Sequence, residues 1–461
     1  MGIDFRIRDF AHPLSILKLK RTFDRNQWLS EEALFQYQSE RLRQTVTHAY
    51  HNIPFYQKIF RENGISPGDI RTAGDLRNIP CLTKEILRLN FDSLVSRDAG
   101  KYGPNLLSTS GTSGGQSMFY VDKPSNVLEF VHYWRSWGWA GYRLGDVFAE
   151  LSAEFFTFFR KGAGTLHHFN YPTKKLTVNS LLISSRHTED FIGIFRKYKP
   201  LFLKGIASNL YMLALIFSER KDHGVSFRAI FSQGENLLPS QRELIEKVFS
   251  CKVFDSYGHM ERTVAISQCP YGTYHIHLDY GVAELEEPEI PVNNNSDGDT
   301  CIKEIVGTSL HNRSMPLIRY RTRDLVKVSR NPKECACRRG FPSVISVLGR
   351  DTDVVITPDG RAVTALYTVF YRTPGIVMGQ IIQEEIDRIL VRIVHAREDT
   401  DQAEKILAGN IRDFVGADMK IRIEPTTVEG IRKDRLGKFK VVISNIPSEK
   451  ILTCRLSPGC S

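Results

Sequence analysis

From Glu31 to about Phe60, apolar residues (Leu34, Tyr37, Leu42, Val46, Tyr50) recur among polar ones at helical spacing until Pro54 interrupts them. That period predicts amphipathic helices opening the fold. Between Gly141 and Asn312, short β-prone runs (VFAELSA, LFLKGI, RAIFSQG, KVFDSYG, VAELEE) are separated by helix-like stretches such as FIGIFRKY and SQRELIEKVF. This is the pattern of βα units, so an α/β architecture with a parallel or mixed sheet flanked by helices is expected. The segment PVNNNSDGDT concentrates turn formers and reads as a hairpin loop. After Arg350 the pattern restarts with VVITPDGRAV, a strand through EEIDRILVRIV and a helix from Gln402. The restart divides the chain into a large domain over 1–350 and a small α+β domain over 351–461.

Composition narrows the possibilities. A chain of 461 residues exceeds one ordinary core, and 41% hydrophobic with 25% charged residues describes a globular protein without extensive disorder. The charged start MGIDFRIRDF lacks a secretory core, and the longest apolar run, LYMLALIF from Leu210, is too short to span a bilayer. Cytoplasmic residence without membrane insertion is the expectation. The net charge of +10 is dispersed, with no basic arm or nucleic-acid motif, so no nucleic-acid partner is expected. Eight cysteines in such a chain should be reduced.

Candidate chemistry begins with LSTSGTSGGQSMFY, Leu107 to Tyr120. Its glycines allow close backbone approach to an anion and its hydroxyls add donors, which suits a phosphate cradle, although a flexible polar loop has the same composition. No Gly-Lys-Ser/Thr ends it, which disfavours a P-loop kinase or ATPase. Cys269, His275 and Cys335-Ala-Cys337, with His277 near, offer three thiolates and an imidazole. Such a set suits tetrahedral zinc, and buried free thiols are the alternative.

Three further segments follow in order: SQGENL (Ser232 to Leu237), DSYGHMER (Asp255 to Arg262) and IRYRTRDL (Ile318 to Leu325). With IPFYQKIF, IPCLTKEIL, KPLFLKGIASNLYMLA, VLGRDTDVVI and the closing RKDRLGKFKVVIS, they resemble the adenylate-forming superfamily of acyl- and aryl-coenzyme A ligases along almost the whole chain. The resemblance is greatest to the phenylacetate-coenzyme A ligase branch, including proteins of the capsular polysaccharide biosynthesis type. It implies a large ATP- and acyl-binding domain and a small mobile domain carrying a catalytic lysine. The implied activity is formation of an acyl-adenylate from ATP and a carboxylic acid, then transfer to coenzyme A, that is, an acid-thiol ligase. An amine or a carrier-protein thiol is the alternative acceptor, and a non-catalytic nucleotide-binding protein of polysaccharide assembly is the alternative class.

Carried over by residue, the resemblance implies that Ser110, Gly111, Thr112, Ser113 and Gly114 hold the ATP phosphates. Tyr257, next to Gly258, would stack on adenine; Gly234 and Glu235 would floor the nucleotide site; Glu261 would hold Mg2+. Asp324 would bind the ribose hydroxyls, Arg350 would sit beside the nucleotide at the hinge, and Lys438 would meet the carboxylate and α-phosphate. The resemblance also favours structural zinc on Cys269, His275, Cys335 and Cys337 over free thiols. The sequence departs from the branch at Gly115-Gln116, where Lys or Pro is common, at Arg323, where Gly is frequent, and in the Arg-Lys-Asp-Arg run before Lys438. The aromatic segment VHYWRSWGWAGY (Val131 to Tyr142) is either an acyl-pocket wall or core.

Overall fold

The computed structural model describes residues 13–108, 117–159, 164–220, 222–288, 298–350, 355–359, 362–363, 366–370, 373–395, 400–427, 430–432 and 440–446. The chain opens with helices α1 (Pro13–Asn26), α2 (Glu31–Asn52), α3 (Pro54–Glu62), α4 (Lys84–Leu89) and α5 (Phe91–Leu94). The predicted amphipathic stretch is α2 and α3, divided where Pro54 starts the second helix. At the start of α2 the Ser30 hydroxyl accepts from the Ala33 amide at 3.3 Å, and Glu31 and Glu32 favour the positive end of the helix dipole. Leu42, Val46, Ala49, Tyr56 and Phe60 from these helices share a core with Phe119, Met315 and Tyr320.

A short hairpin of β1 (Asn105–Ser108) and β2 (Met118–Val121) precedes helix α6 (Lys123–Gly138) and the main sheet. That sheet contains β3 (Phe148–Leu151), β4 (His167–Asn170), β5 (Lys175–Val178), β6 (Phe202–Gly205), β7 (Ala229–Gln233), β8 (Lys252–Gly258), β9 (Ala265–Gln268), β10 (Tyr274–Ile276) and, from farther along, β14 (Ser343–Val344). The order is β14-β10-β9-β8-β7-β6-β3-β5-β4, with the strands from β8 through β5 parallel. Helices α7 (Thr188–Tyr198), α8 (Ala207–Ser218) and α9 (Pro239–Phe249) supply the crossovers and cover one face with a single apolar core. Helix α8 contains the LYMLALIF run, buried nearly all round. No helix among the described residues is long and apolar enough to cross a membrane.

A second, antiparallel sheet holds β11 (Gly281–Glu286), β12 (Thr300–Ser309), β13 (Tyr320–Ser329) and β15 (Ser346–Arg350) in that order. The turn-rich PVNNNSDGDT lies between the paired strands β11 and β12, and most of it is outside the described residues. The two sheets come close around Thr263, which is fully buried just before β9. A Cβ on Gly281 would lie 1.7 Å from the Thr263 carbonyl oxygen, and one on Gly307 would lie 1.9 Å from its hydroxyl. Only glycine permits this approach.

After Arg350 come β16 (Val355–Ile356), β17 (Ala362–Val363), β18 (Ile376–Glu385), β19 (Arg388–His395), helix α10 (Thr400–Val415), β20 (Lys420–Pro425) and β21 (Val442–Ser444). The sheet order β20-β19-β18-β21 and helix α10 enclose a core of their own around Val391, Ile393, Leu407 and Ile411. The EEIDRILVRIV run differs from a single strand, because Ile386 and Asp387 turn the chain between β18 and β19. Its acidic start ends one strand and its β-branched half forms the next.

The close approach of the sheets predicts that Gly281→Ala lowers unfolding free energy by about 3 kcal/mol through overpacking. Gly193→Ala, in α7 with nothing within 4 Å of its Cβ position, should instead raise it by about 0.5–1 kcal/mol. Urea unfolding of both variants measures the difference.

Candidate active site and metal cluster

In a sheet whose central strands run parallel, ligands gather beyond the carboxyl ends of those strands. At that edge, β7 ends in Gln233, followed by Gly234 at φ 79° and Glu235, and β8 ends in Tyr257 and Gly258. The antiparallel sheet brings β13 against this edge. The Tyr257 hydroxyl donates to Asp324 Oδ2 at 2.7 Å, across 67 positions of sequence. The Asp324 amide in turn donates to Thr322 Oγ1 at 3.0 Å.

Glu261 lies in the turn after β8 and is buried. Its Oε1 accepts from the Tyr320 hydroxyl at 2.8 Å and its Oε2 meets His259 Nδ1 at 3.1 Å. His259 Nε2 is 3.0 Å from Thr263 Oγ1, so the imidazole bridges the carboxylate and the close point of the two sheets. Burial alone would raise the Glu261 carboxyl, but the hydrogen bond and charge of His259 and the Tyr320 hydroxyl outweigh it and hold it down at about 2. The carboxylate is ionised, and each oxygen keeps acceptor capacity for a hard cation. His259 and Tyr320 were not among the sequence candidates; His259 stood within DSYGHMER, but nothing in its spacing announced a contact with Thr263.

Glu235 Oε2 accepts from the Ser208 amide at 2.9 Å, so its carboxylate caps the start of α8. Arg350 is the cross-strand partner of Asp324 through β15. Gly349, at φ 84°, closely approaches Asn236: a Cβ there would be 2.7 Å from the amide nitrogen. The structure thus brings together Gly234, Glu235, Tyr257, Gly258, Glu261, Asp324 and the backbone of Arg350. Ser110, Gly111, Thr112, Ser113, Gly114 and Lys438 lie outside the described residues.

Arg323, where the resemblance leads us to expect glycine, stands at φ 63°, in the left-handed region that glycine adopts most easily. The aromatic segment packs as core at Tyr133 and Trp137, which stack on each other and cluster with Phe148, Phe202 and Phe231 on the face opposite α7–α9. Trp134, Trp139 and Tyr142 line a surface cavity of about 410 Å³ with Arg143 and Arg339.

Cys269, His275, Cys335 and Cys337 converge from the ends of β9 and β10 and the loop before β14. Their ligand atoms all lie within 4.8 Å of one another. Cys269 Sγ is 3.6 Å from Cys335 Sγ, and Cys337 Sγ is 3.2 Å from His275 Nε2. Tetrahedral zinc with Zn–S bonds near 2.3 Å separates its sulfurs by about 3.8 Å, so the donors fit such an ion. His275 Nδ1 faces the Phe341 carbonyl at 3.0 Å, which fixes the tautomer with Nε2 free to ligate. Burial lowers the His275 imidazole and so favours its neutral, ligating form. His277 is elsewhere: its Nδ1 accepts from Arg135 and its ring stacks on Phe341 and Trp139. Arg135 grips Asp279 with both arms, at 2.6 and 3.0 Å, with both side chains fully buried.

A family profile described as the CapK C-terminal domain matches residues 355–445. Protein CapK of Staphylococcus aureus is 22% identical over 420 residues, 90% of each chain. Phenylacetate-coenzyme A ligase of Pseudomonas putida is 30% identical over 341 residues, covering 71% of this chain and 73% of that enzyme. Among solved structures, 2-hydroxyisobutyryl-CoA ligase in the postadenylation state, bound to R3-HIB-AMP, superposes with a TM-score of 0.69 at 18% identity over 94% of each chain. The fold is that of the adenylate-forming ligases, with a small C-terminal domain. Within that class, this chain belongs to the phenylacetate-coenzyme A ligase family.

Severing the buried pair with Asp279→Ala should remove about 3–5 kcal/mol of unfolding free energy, because it strands a guanidinium. Glu189→Ala, which breaks an exposed pair with Arg220, should change it by less than about 1 kcal/mol in the same urea titration.

Proposed function

We propose that this chain activates a carboxylic acid with ATP and transfers the acyl group to coenzyme A. The observation that carries this reading is the Tyr257–Asp324 hydrogen bond beside the ionised Glu261, at one strand edge of a ligase-family fold. An aromatic ring, a bidentate acceptor and a buried carboxylate suit, respectively, the base, the ribose hydroxyls and a phosphate-bound cation. The 2-hydroxyisobutyryl-CoA ligase of the same fold is described with an acyl-AMP, and in another state with 2-HIB-AMP and CoA.

In the first step a carboxylate oxygen of the acid attacks the α-phosphorus of ATP and pyrophosphate leaves. In the second the thiol sulfur attacks the acyl carbon, AMP leaves, and the thiol proton goes to solvent. Ser110, Gly111, Thr112, Ser113 and Gly114 cradle the phosphates through backbone amides and hydroxyls. Glu261 would hold Mg2+, which would supply neutralisation of phosphate charge. Tyr257 and Gly258 receive the adenine, Asp324 orients the ribose, Gly234 and Glu235 border the base, and Arg350 lies at the junction with the small domain. Lys438 places its ammonium where the carboxylate and α-phosphate meet, stabilising charge as it redistributes. Between the two steps, the small mobile domain carries Lys438 into and out of the site. Cys269, His275, Cys335 and Cys337 would hold a zinc ion, whose role with four protein ligands would be structural.

ATP-pyrophosphate exchange over a carboxylic-acid panel with Mg2+ tests the first step. Lys438→Ala should reduce exchange on the order of 100- to 1000-fold while circular dichroism stays unchanged. Exchange with no aryl, fatty, amino or sugar acid would overturn the reading in favour of a non-catalytic nucleotide-binding protein. Exchange without thioester on adding coenzyme A would move the acceptor to an amine or a carrier protein. Metal analysis should find one zinc per chain, and Cys335→Ser should lower the melting temperature and shed the metal. A metal-free wild type with the same melting temperature would refute the zinc assignment.

A further inference from the structure

A cavity of about 410 Å³ opens where helix α6 ends, and Trp28, Trp134, Trp139, Tyr142, Arg143 and Arg339 are among the residues that line it. That volume falls within the range of about 300–1,000 Å³ typical of small-molecule sites. The cavity lies away from the candidate active site. Tyr142 packs edge-on against Phe148 and Phe202, the first residues of the parallel strands β3 and β6, which places it at the amino edge of the sheet. The opposite, carboxyl edge is reached by Tyr133, earlier on α6, whose hydroxyl is 3.7 Å from the Cβ position of Gly258.

The charges around the cavity do not cancel. Lys20 pairs with Asp24, and Arg135 is committed to Asp279, His277 and the Phe23 carbonyl. Among the described residues, Arg143 and Arg339 have no ion-pair partner. Arg339 is nevertheless held firmly. Its guanidinium carbon lies 5.0 Å from the Trp28 ring centre and 4.3 Å from that of Trp139, and its Nε donates to Gln27 Oε1 at 3.2 Å. The same oxygen accepts from Trp139 Nε1 at 2.7 Å, and Gln27 Nε2 donates to the Asp24 carbonyl at 2.9 Å. Next along the chain, a Cβ on Gly340 would lie 2.0 Å from the Leu29 carbonyl oxygen, so this loop is pinned beside Trp28. Only Nε of Arg339 is used; its two terminal nitrogens, the fork that grips phosphate side by side, meet no acceptor among the described residues. The Ser136, Trp137 and Gly138 carbonyls at the end of α6, which would repel an anion, are each taken by a later amide.

We propose that this cavity is a binding site, separate from the strand-edge site, for a phosphate monoester carried on a planar ring. Two guanidinium groups match the charge of a phosphate that is largely dianionic at neutral pH. The Arg339 fork takes two phosphate oxygens, Arg143 adds its charge at the rim, and the indoles of Trp28, 58% exposed, and Trp134 offer flat apolar surface to the ring. The inference stands on the cavity and does not depend on the ligase reading.

Isothermal titration calorimetry of the full chain tests it, with ATP and Mg2+ present throughout to fill the strand-edge site. Phenyl phosphate and AMP are the probes; inorganic phosphate, phenol and glucose 6-phosphate supply the anion alone, the ring alone and the anion on a non-planar ring. At least one probe should bind at least about 10-fold more tightly than all three controls, and which one does so separates an aryl phosphate from a nucleotide. Arg339→Met should weaken that binding by about 10-fold or more. Gly138→Leu should do the same by filling the cavity, since Gly138 lines it and a Cβ there meets nothing within 4 Å; leucine is also the better helix former. No saturable binding of either probe, or a control that binds as tightly, overturns the inference, and those results need no variant to fold. Unchanged affinity in a folded Gly138→Leu also overturns it, because the probe would then sit elsewhere.

Discussion

The geometry of the strand edge depends on how closely the two sheets can meet at Thr263. Its carbonyl oxygen and hydroxyl fill the space that side chains on Gly281 and Gly307 would take. Because β11 and β12 are hydrogen-bonded neighbours, with Ala283 opposite Gly307, both glycines open the same short stretch of one sheet. The approach has direct consequences for chemistry. Thr263 is two residues beyond Glu261, and drawing it into the second sheet brings Glu261 within reach of Tyr320, and Tyr257 within reach of Asp324. A separation larger by one methyl group would break hydrogen bonds of 2.7 and 2.8 Å before it broke the fold.

Helix α6 transmits this arrangement to both ends of the domain. Tyr133 and Trp137 point to the aromatic face of the main sheet, while Arg135 between them enters the buried polar network with Asp279, His277 and the Phe23 carbonyl. That network abuts the Cys/His cluster through Phe341, whose carbonyl faces His275 and whose ring lies under the Arg135 guanidinium at 5.0 Å. A helix held by charges on one side and by rings on the other has little freedom to slide or rotate. Its rigidity fixes Tyr133 against Gly258 at the strand edge. The network is polar and specific rather than a large source of stability, in keeping with how fully buried ion pairs behave.

Much of this was legible in the sequence where a period or a local motif carried the information. The βα alternation needs only hydrophobic patterning, and α2, α7, α9 and the strands β3, β6, β7 and β8 follow it, whereas β4 and β5 lie outside the runs it marks. The convergence of Cys269, His275, Cys335 and Cys337 was approachable because thiol and imidazole chemistry narrows the possible ligands. Long-range pairings were not legible in this way. Nothing in the spacing of Tyr320 and Glu261, or of Lys204 and Glu150, specifies contact; strand order sets it, and strand order is a property of the whole chain. The single strand expected through EEIDRILVRIV failed for a local reason, since a tight turn at Ile386 and Asp387 contains neither glycine nor proline to mark it.

Backbone strain shows where the chain departs from regular structure for the sake of the site. Each acidic residue at the strand edge adjoins a residue in the left-handed region: Gly234 at φ 79° before Glu235, Arg262 at 55° after Glu261, and Arg323 at 63° before Asp324. In an unbroken strand, successive side chains alternate between faces, so neighbouring positions could not be aimed freely. A left-handed residue breaks the alternation, and at Arg323 it accompanies irregular pairing on both sides of β13, between Glu304 and Val306 and between Leu325 and Val326. For the arginines this conformation costs on the order of 1 kcal/mol each. Strain tolerated at two non-glycine positions flanking Glu261 and Asp324 is what a site needs when its carboxylates must come from different strands and point to one edge.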